Sequence, residues 1–115
     1  MGKQKVASSE FKVELRQEGS GGWVFYVERV GKLPFEWEYV GFPVTGISVP
    51  APEEWDLYCE KHGAGWAKGR REEILTRVAE KILRGYGKGS YEISDRWVIV
   101  RGGTTLLTRI LSFFR

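Results

Sequence analysis

The sequence predicts an α+β fold, in which a mostly antiparallel sheet of about five strands carries one central helix packed on one face. Three observations support this prediction. Apolar residues recur at helical spacing in one central segment, and they alternate at strand spacing before and after it. Glycine- and proline-containing turns separate these segments. The predicted order of elements is β-β-β-α-α-β-β-α.

Three strands are predicted in the N-terminal half. Residues 11–15 alternate apolar and charged side chains, which is the pattern of a strand with one buried face. A glycine-rich loop at residues 18–22 joins them in a hairpin to residues 23–30, a β-branched and aromatic run typical of a central strand. In residues 35–40 the aromatic side chains share one face and two glutamates share the other. Residues 46–49 are expected to continue this third strand after a bend.

Two helices are predicted in the middle of the chain. Residues 52–63 form a short helix, with proline and acidic residues in its first turn and a glycine after its last turn. The central helix lies within residues 63–87, and Gly85 and Gly87 are expected to end it. Six apolar residues lie on one half of this helix and are predicted to pack on the sheet: Ile74, Leu75, Val78, Ala79, Ile82 and Leu83.

Charged side chains occupy the opposite half of the central helix, with acidic and basic residues in adjacent stripes. Glu73 precedes Arg77 by four residues, which is the favourable order for a helical ion pair. Glu80 stands in the same relation to Arg84. Part of the basic stripe is therefore predicted to have a local structural role.

The C-terminal part is predicted to form a second hairpin and a last helix. The hairpin spans residues 90–101 and turns near residues 94–95. Apolar side chains point to both sides of residues 97–100, which is typical of a strand covered on both faces. Residues 104–114 place their large apolar side chains on one arc of a helical wheel, and a strand is the competing interpretation. The residues that would support self-association, if the core does not need them, are Leu106, Ile110, Phe113 and Phe114.

Length, composition and charge limit the possible classes of protein. The 115 residues suffice for one domain at residues 10–115, behind a polar tail at residues 1–9 that is predicted to be disordered. The single cysteine rules out an internal disulfide framework, and the lack of an apolar leader or membrane-spanning run favours a cytoplasmic protein. Residues 1–60 contain 6 Lys and Arg against 10 Asp and Glu, whereas residues 61–88 contain 8 against 3. The basic charge therefore lies on the central helix and its flanks.

The outer face of the central helix and the loop before it form the best candidate binding surface. Basic side chains there would contact acidic groups or phosphates, and Trp66 or Tyr86 would stack on bases. The candidate binding residues are Trp66, Lys68, Arg70, Arg71, Arg77, Lys81 and Arg84.

Residues 63–70 resemble a phosphate-binding loop at first sight. Their GxGxxxG spacing fits neither the dinucleotide fingerprint nor a Walker loop, so we interpret them as a glycine-rich corner between two helices. A milder functional alternative is that the free amides at the start of the central helix hold one anion.

The sequence contains no recognisable catalytic or metal-binding set. Cys59 and His62 lie three residues apart on the predicted short helix, but one Cys and one His complete no zinc site. A buried thiol beside a helix-capping histidine is the favoured interpretation, and a Cys–His nucleophile pair is the alternative. Glu36 and Glu38 are interpreted as solvated side chains on an outward strand face. We therefore expect no catalytic residues, no metal and no cofactor.

These observations favour a non-catalytic protein-binding module, such as a small inhibitor, an immunity-type protein or an adaptor, that uses the charged face of its central helix. The missing catalytic sets, the uneven charge and the many aromatic residues support this hypothesis. The alternative is a nucleic-acid-binding protein that uses the basic stripe of the same helix. An enzyme of unrecognised type is the third hypothesis.

Overall fold

The computed structural model describes residues 10–41 and 43–103, and these residues form an α+β fold with a six-stranded antiparallel sheet. The predicted fold class is confirmed, with six strands where about five were expected. The strands are β1 (Phe11–Glu18), β2 (Gly21–Glu28), β3 (Gly31–Gly41), β4 (Val44–Ser48), β5 (Gly89–Ile93) and β6 (Trp97–Gly102). The helices are α1 (Trp55–Lys61) and α2 (Arg71–Tyr86). The predicted N-terminal tail at residues 1–9 and the predicted last helix at residues 104–114 lie outside the described residues.

The additional strand is β4. Residues 46–49 do not continue the third strand past a bend, because β4 runs back antiparallel to β3. Gly41 precedes the reversal with a φ of 125°, a backbone conformation that residues with a Cβ rarely adopt. On its other side β4 pairs with β6, which gives the strand order β1-β2-β3-β4-β6-β5. The C-terminal hairpin, predicted to turn near residues 94–95, thus joins the N-terminal strands in a single sheet.

One face of the sheet is buried under the two helices. Its core side chains are Val24, Tyr26, Leu33, Phe35, Trp37, Ile47, Val98 and Val100. From α2 the same core receives Ile74, Leu75, Val78, Ala79 and Ile82, with Leu83 partly buried beside them. From α1 it receives Trp55 and Cys59, and the Trp55 ring stacks on Phe35. The predicted apolar face of the central helix is therefore confirmed.

The end of α2 differs from the prediction by half a turn. Gly85 lies inside the last turn rather than after it, and Gly87 ends the helix with a φ of 94°. The Gly87 amide donates to the carbonyl groups of Leu83 and Arg84, which satisfies two of the unpaired carbonyls at the end of the helix.

The opposite face of the sheet carries no described helix. Trp97 and Ile99 point to this face from β6, and Trp97 is 40% exposed. Within the described residues both helices pack on the same side, so the second cover predicted for residues 97–100 is not among them. We call this second side the open face.

Leu75→Ala should lower the free energy of unfolding by about 2–5 kcal/mol, because Leu75 is fully buried between α2 and the sheet and its truncation leaves a cavity. Leu57→Ala is the matched control, since Leu57 lies on α1 and is 63% exposed. It should change the free energy of unfolding by less than about 0.5 kcal/mol. Urea denaturation followed by tryptophan fluorescence measures both, and equal losses would contradict the packing described.

Candidate functional site

Two arginines of the predicted binding surface form a charge network between α2 and β2. The Glu28 side chain at the end of β2 is only 5% exposed. Arg70 donates to both of its carboxylate oxygens, over 3.1 Å from Nη1 to Oε1 and 2.6 Å from Nη2 to Oε2. Nη1 of Arg77 lies 3.5 Å from Glu28 Oε2. Both arginines also contact Glu73, and the helical pair predicted between Glu73 and Arg77 is thereby confirmed.

Tyr26 completes this network from β2. Its hydroxyl donates to Glu28 over 2.5 Å and accepts a hydrogen bond from Nη1 of Arg77 over 2.8 Å. Burial, reinforced by the hydrogen bond to Glu28, raises the pKa of Tyr26 to about 12. Hydrogen bonds to Glu73 and Glu28 raise the pKa of Arg70, and Arg70 in turn lowers the pKa of Glu73. Each charged group of this network therefore has a partner within the protein.

Arg71 and Lys68 also have partners within the chain. Nε of Arg71 donates to the carbonyl of Pro50 over 3.0 Å. Nη2 of Arg71 donates to the carbonyl groups of residues 94–95, each over 2.9 Å, so this arginine holds the turn of the C-terminal hairpin. Lys68 forms an ion pair with Glu60, which raises the pKa of the lysine.

The remaining two basic residues of the predicted surface, Lys81 and Arg84, are exposed. Neither forms an ion pair with a described residue. The predicted pair between Glu80 and Arg84 is not formed, and Glu80 instead accepts a hydrogen bond from the hydroxyl of Tyr91 in β5 over 3.2 Å. The seven candidate residues are therefore not one continuous basic surface.

The aromatic residues of the predicted surface are packed rather than exposed. Trp66 is partly buried against Tyr26, with ring centroids 6.3 Å apart, and the guanidinium of Arg70 lies 5.9 Å from its ring. Its Nε1 is buried and has no hydrogen-bond partner among the described residues. Tyr86 packs against the core, and its hydroxyl lies 2.5 Å from Oγ1 of Thr45. Both rings are therefore partly buried rather than freely exposed, and base stacking by Trp66 or Tyr86 stays a prediction.

The start of α2 offers little to an anion. The Gly69 amide, which precedes the helix, already donates to Oδ1 of Asp56 over 3.0 Å. Arg70 and Arg71 point to other partners, as described above, and two glutamates occupy the first turn. An anion there would meet carboxylates as well as amides, which weakens the anion hypothesis.

Cys59 and His62 are in structural positions. Cys59 is fully buried, as predicted, and burial raises the pKa of its thiol to about 11. The His62 ring packs on Tyr58, with ring centroids 4.4 Å apart. Within residues 10–41 and 43–103, no group of three or more His, Cys, Asp or Glu side chains is arranged to hold a metal ion.

The open face carries an arrangement that the sequence alone did not indicate. The strand register aligns five side chains in one row across β1, β2, β3, β4 and β6: Arg16, Trp23, Glu36, Ser48 and Trp97. Because neighbouring strands lie about 4.8 Å apart, the backbones of the two tryptophans, three strand spacings from each other, are about 14 Å apart.

Glycines deepen the open face beside this row. In the next row Gly21 of β2 and Gly46 of β4 flank Glu38 of β3. A Cβ placed on Gly46 would lie 3.5 Å from the Trp97 ring, so the indole lies against this glycine. The result is a depression of about 330 Å³ with Trp23 and Trp97 in its walls.

The charged residues described in the lining of this depression are all acidic. They are Glu18, Glu36 and Glu38, and no Lys or Arg of residues 10–41 or 43–103 lines it. None of these three glutamates forms an ion pair with a described residue. By contrast, Glu14 and Glu92 on the same face pair with basic neighbours. The three carboxylates are therefore uncompensated within the described part of the chain.

A second depression, of about 490 Å³, shares Trp23, Glu36 and Ser48 with the first. It extends to Tyr58 of α1 and to His62, which follows that helix. The Tyr58 hydroxyl donates to a backbone carbonyl of β3, which holds α1 where β4 leaves the sheet. The two depressions adjoin, and we call them together the open-face groove.

The sequence placed two members of this groove on an outward face but did not indicate the groove itself. The alternation in residues 35–40 correctly placed Glu36 and Glu38 on an outward face. Trp97 lies near these glutamates because β4 pairs with β6. This pairing could not be read from local sequence patterns, since both helices lie between the two strands in the chain.

No protein-family model, curated protein or solved structure matches the chain significantly. In the described part of the chain, no helix combines the length and the apolar character that crossing a bilayer requires. The surfaces described above are therefore the basis for assigning a function.

Glu28→Gln should lower the free energy of unfolding by about 3 kcal/mol, because it removes the buried carboxylate that Arg70 and Arg77 share. The exposed pair of Lys12 and Glu14 provides the control. Glu14→Gln should cost less than about 1 kcal/mol. Urea denaturation of both variants tests the difference, and a negligible effect of Glu28→Gln would show that the network does not contribute to stability.

Cys59 should react with a thiol reagent at neutral pH only as fast as the protein opens, because the thiol is buried and its pKa is raised to about 11. Labelling should become fast in unfolding concentrations of urea. The measurement is the absorbance of released thionitrobenzoate. Fast labelling of the folded protein would contradict this description and would favour the Cys–His nucleophile hypothesis.

Proposed function

We propose that the protein is a non-catalytic protein-binding module, in the class of small inhibitors, immunity-type proteins and adaptors, and that its contact surface is the open face. One observation carries the proposal. Both helices pack on one face of the sheet, while the other face presents Trp23 and Trp97 around an uncompensated acidic groove. Tryptophan is enriched in protein–protein interfaces and among the residues that contribute most to their affinity.

The helix face supports the proposal less well than the sequence indicated. Arg70, Arg71 and Arg77 all have partners within the protein, which a binding partner would have to displace. Only Lys81 and Arg84 remain as exposed cations of the predicted surface without an ion pair among the described residues. We therefore assign the contact to the sheet and treat these two residues as a secondary charged patch.

Nucleic-acid binding is the second candidate function. The exposed residues Lys81, Arg84 and Lys88 at the end of α2 favour it. The open-face groove opposes it, because its glutamates would repel phosphates. An enzyme of unrecognised type is the third candidate, and the burial of Cys59, the only thiol of the chain, weakens it.

The test begins with capture of a partner from a lysate of the source cell on the immobilised full-length chain, followed by purification of that partner and measurement of Kd. Trp97→Ala should weaken Kd by about tenfold or more, as expected for loss of a central aromatic contact. The matched control, Lys81→Glu combined with Arg84→Glu, should change Kd by less than about threefold, as is usual for charges outside an interface core. Circular dichroism of each variant checks that the fold is retained.

Two results would contradict the proposal. Loss of binding in the Lys81 and Arg84 variant, with normal binding by Trp97→Ala, would return the contact surface to the helix. Binding to DNA or RNA in fluorescence anisotropy, with affinity that falls steeply as salt rises, would favour the second candidate function.

A further inference from the structure

The walls of the open-face groove are suited to a flat or cationic group. Trp97 is 40% exposed, and Trp23, three strands away in the same row, is partly exposed. The faces of indole rings attract cations because their π electrons carry partial negative charge. Burying these rings under a ligand also removes apolar surface from water, which is favourable.

The open face already binds cations to aromatic rings where the chain supplies both. Phe25 lies on this face, with the guanidinium of Arg16 at 5.2 Å and Nζ of Lys32 at 4.9 Å from its ring centroid. No cation of a described residue lies over Trp23 or Trp97 in this way. Within the described residues, then, no cation is positioned to stack on either tryptophan, and we consider one supplied by another molecule.

The carboxylates select the charge of that molecule. Acidic side chains on a sheet surface are ordinarily solvated, and alone they would indicate no ligand. Here Glu36 and Glu38 lie two residues apart on the same face of β3, about 7 Å apart by strand geometry, and Glu18 lines the same depression. Among the described residues of the lining, none is basic and could reduce their mutual repulsion. A cation between the tryptophans would reduce it.

The hydrogen-bonding groups of the groove favour a guanidinium over a neutral ligand. Its carboxylates are acceptors only, and the hydroxyls of Ser20 and Ser48 are among its few side-chain donors. A guanidinium has five N–H donors and no acceptor, pairs with a carboxylate through two hydrogen bonds, and stacks on indole rings. A sugar presents both donors and acceptors. Its acceptors would lack partners in a groove that offers mainly acceptors.

We infer that the open-face groove binds an arginine side chain, or less tightly a lysine side chain, presented by an extended basic segment of a partner protein. The guanidinium lies between Trp23 and Trp97 and pairs with Glu36 and Glu38. The adjoining second depression, which leads to α1, receives the neighbouring residues of the segment. This inference rests on the proposed function and adds the chemistry of the partner to it.

The first test uses a small probe, the capped tripeptide acetyl-Gly-Arg-Gly-amide, and its citrulline counterpart, which has nearly the same shape but no charge. Proton–nitrogen correlation spectra of the full chain are recorded during titration at low salt. The indole N–H signals of Trp23 and Trp97 should shift saturably with the arginine peptide. The citrulline peptide should bind about tenfold more weakly or worse, because it lacks the charge-assisted hydrogen bonds.

Variants assign the effect to the groove. Glu36→Gln combined with Glu38→Gln keeps the shape of both side chains and should weaken binding of the arginine peptide by about tenfold or more. Glu14→Gln is the matched control, because it removes a carboxylate from the same face that is paired with Lys12 outside the groove. It should change the affinity by less than about twofold, as expected for an exposed ion pair.

Three results would overturn the inference: equal binding of the arginine and citrulline peptides, shifts confined to α2, or preferential binding of a cello-oligosaccharide. These experiments can show that the cationic ligand is wrong without showing that the proposed contact surface is wrong. If the captured partner needs Trp97 but tolerates loss of the carboxylates of Glu36 and Glu38, the open face is the contact surface and the cationic ligand is wrong. If the partner tolerates Trp97→Ala, the proposed contact surface itself is wrong.

Discussion

The carboxylate of Glu28, held between Arg70 and Arg77, is the interaction on which the rest of the described structure depends. A buried carboxylate is tolerated only when it is paired and hydrogen-bonded, and here two guanidinium groups and one tyrosine hydroxyl satisfy it. Burial of the apolar face of α2 supplies most of the stabilisation, but that face could slide or rotate on an apolar sheet. The shared carboxylate allows only one position, because any other would leave a buried charge unpaired.

This network also pairs two arginines of the predicted binding surface with a carboxylate of the same chain. A basic helix face normally indicates contact with an acidic partner, and α2 has such a face in its sequence. Arg70 and Arg77 are oriented inward by ion pairs with Glu28 and Glu73. Arg71 is turned toward the C-terminal hairpin. The carboxylates that line the open-face groove lie instead on the opposite side, beside exposed indole rings, and Arg16 and Lys32 of the same face lie over Phe25 outside the groove lining. The partner that we propose is accordingly basic rather than acidic.

Much of the fold follows from local patterns in the sequence. The 3.6-residue period of Ile74 to Ile82 predicts a helix with one buried side, and the alternation around Trp37 predicts a strand with one aromatic face. These patterns arise from the geometry of single elements, so they can be read from neighbouring residues. The reversal between β3 and β4 was missed, because bends and tight turns both use glycine and proline and only pairing with a second strand distinguishes them.

By itself, then, the sequence determined the fold class, the buried sides of α2 and β3, and the outward position of Glu36 and Glu38. Only the tertiary structure decided that Arg70 and Arg77 share a carboxylate 42 or more residues away in the chain, and that Trp97 lies in one row with Trp23. The physical reason is that side-chain periodicity is set by the geometry of one element, whereas ion-pair partners and cross-strand neighbours are set by register between distant elements. No local pattern specifies that register.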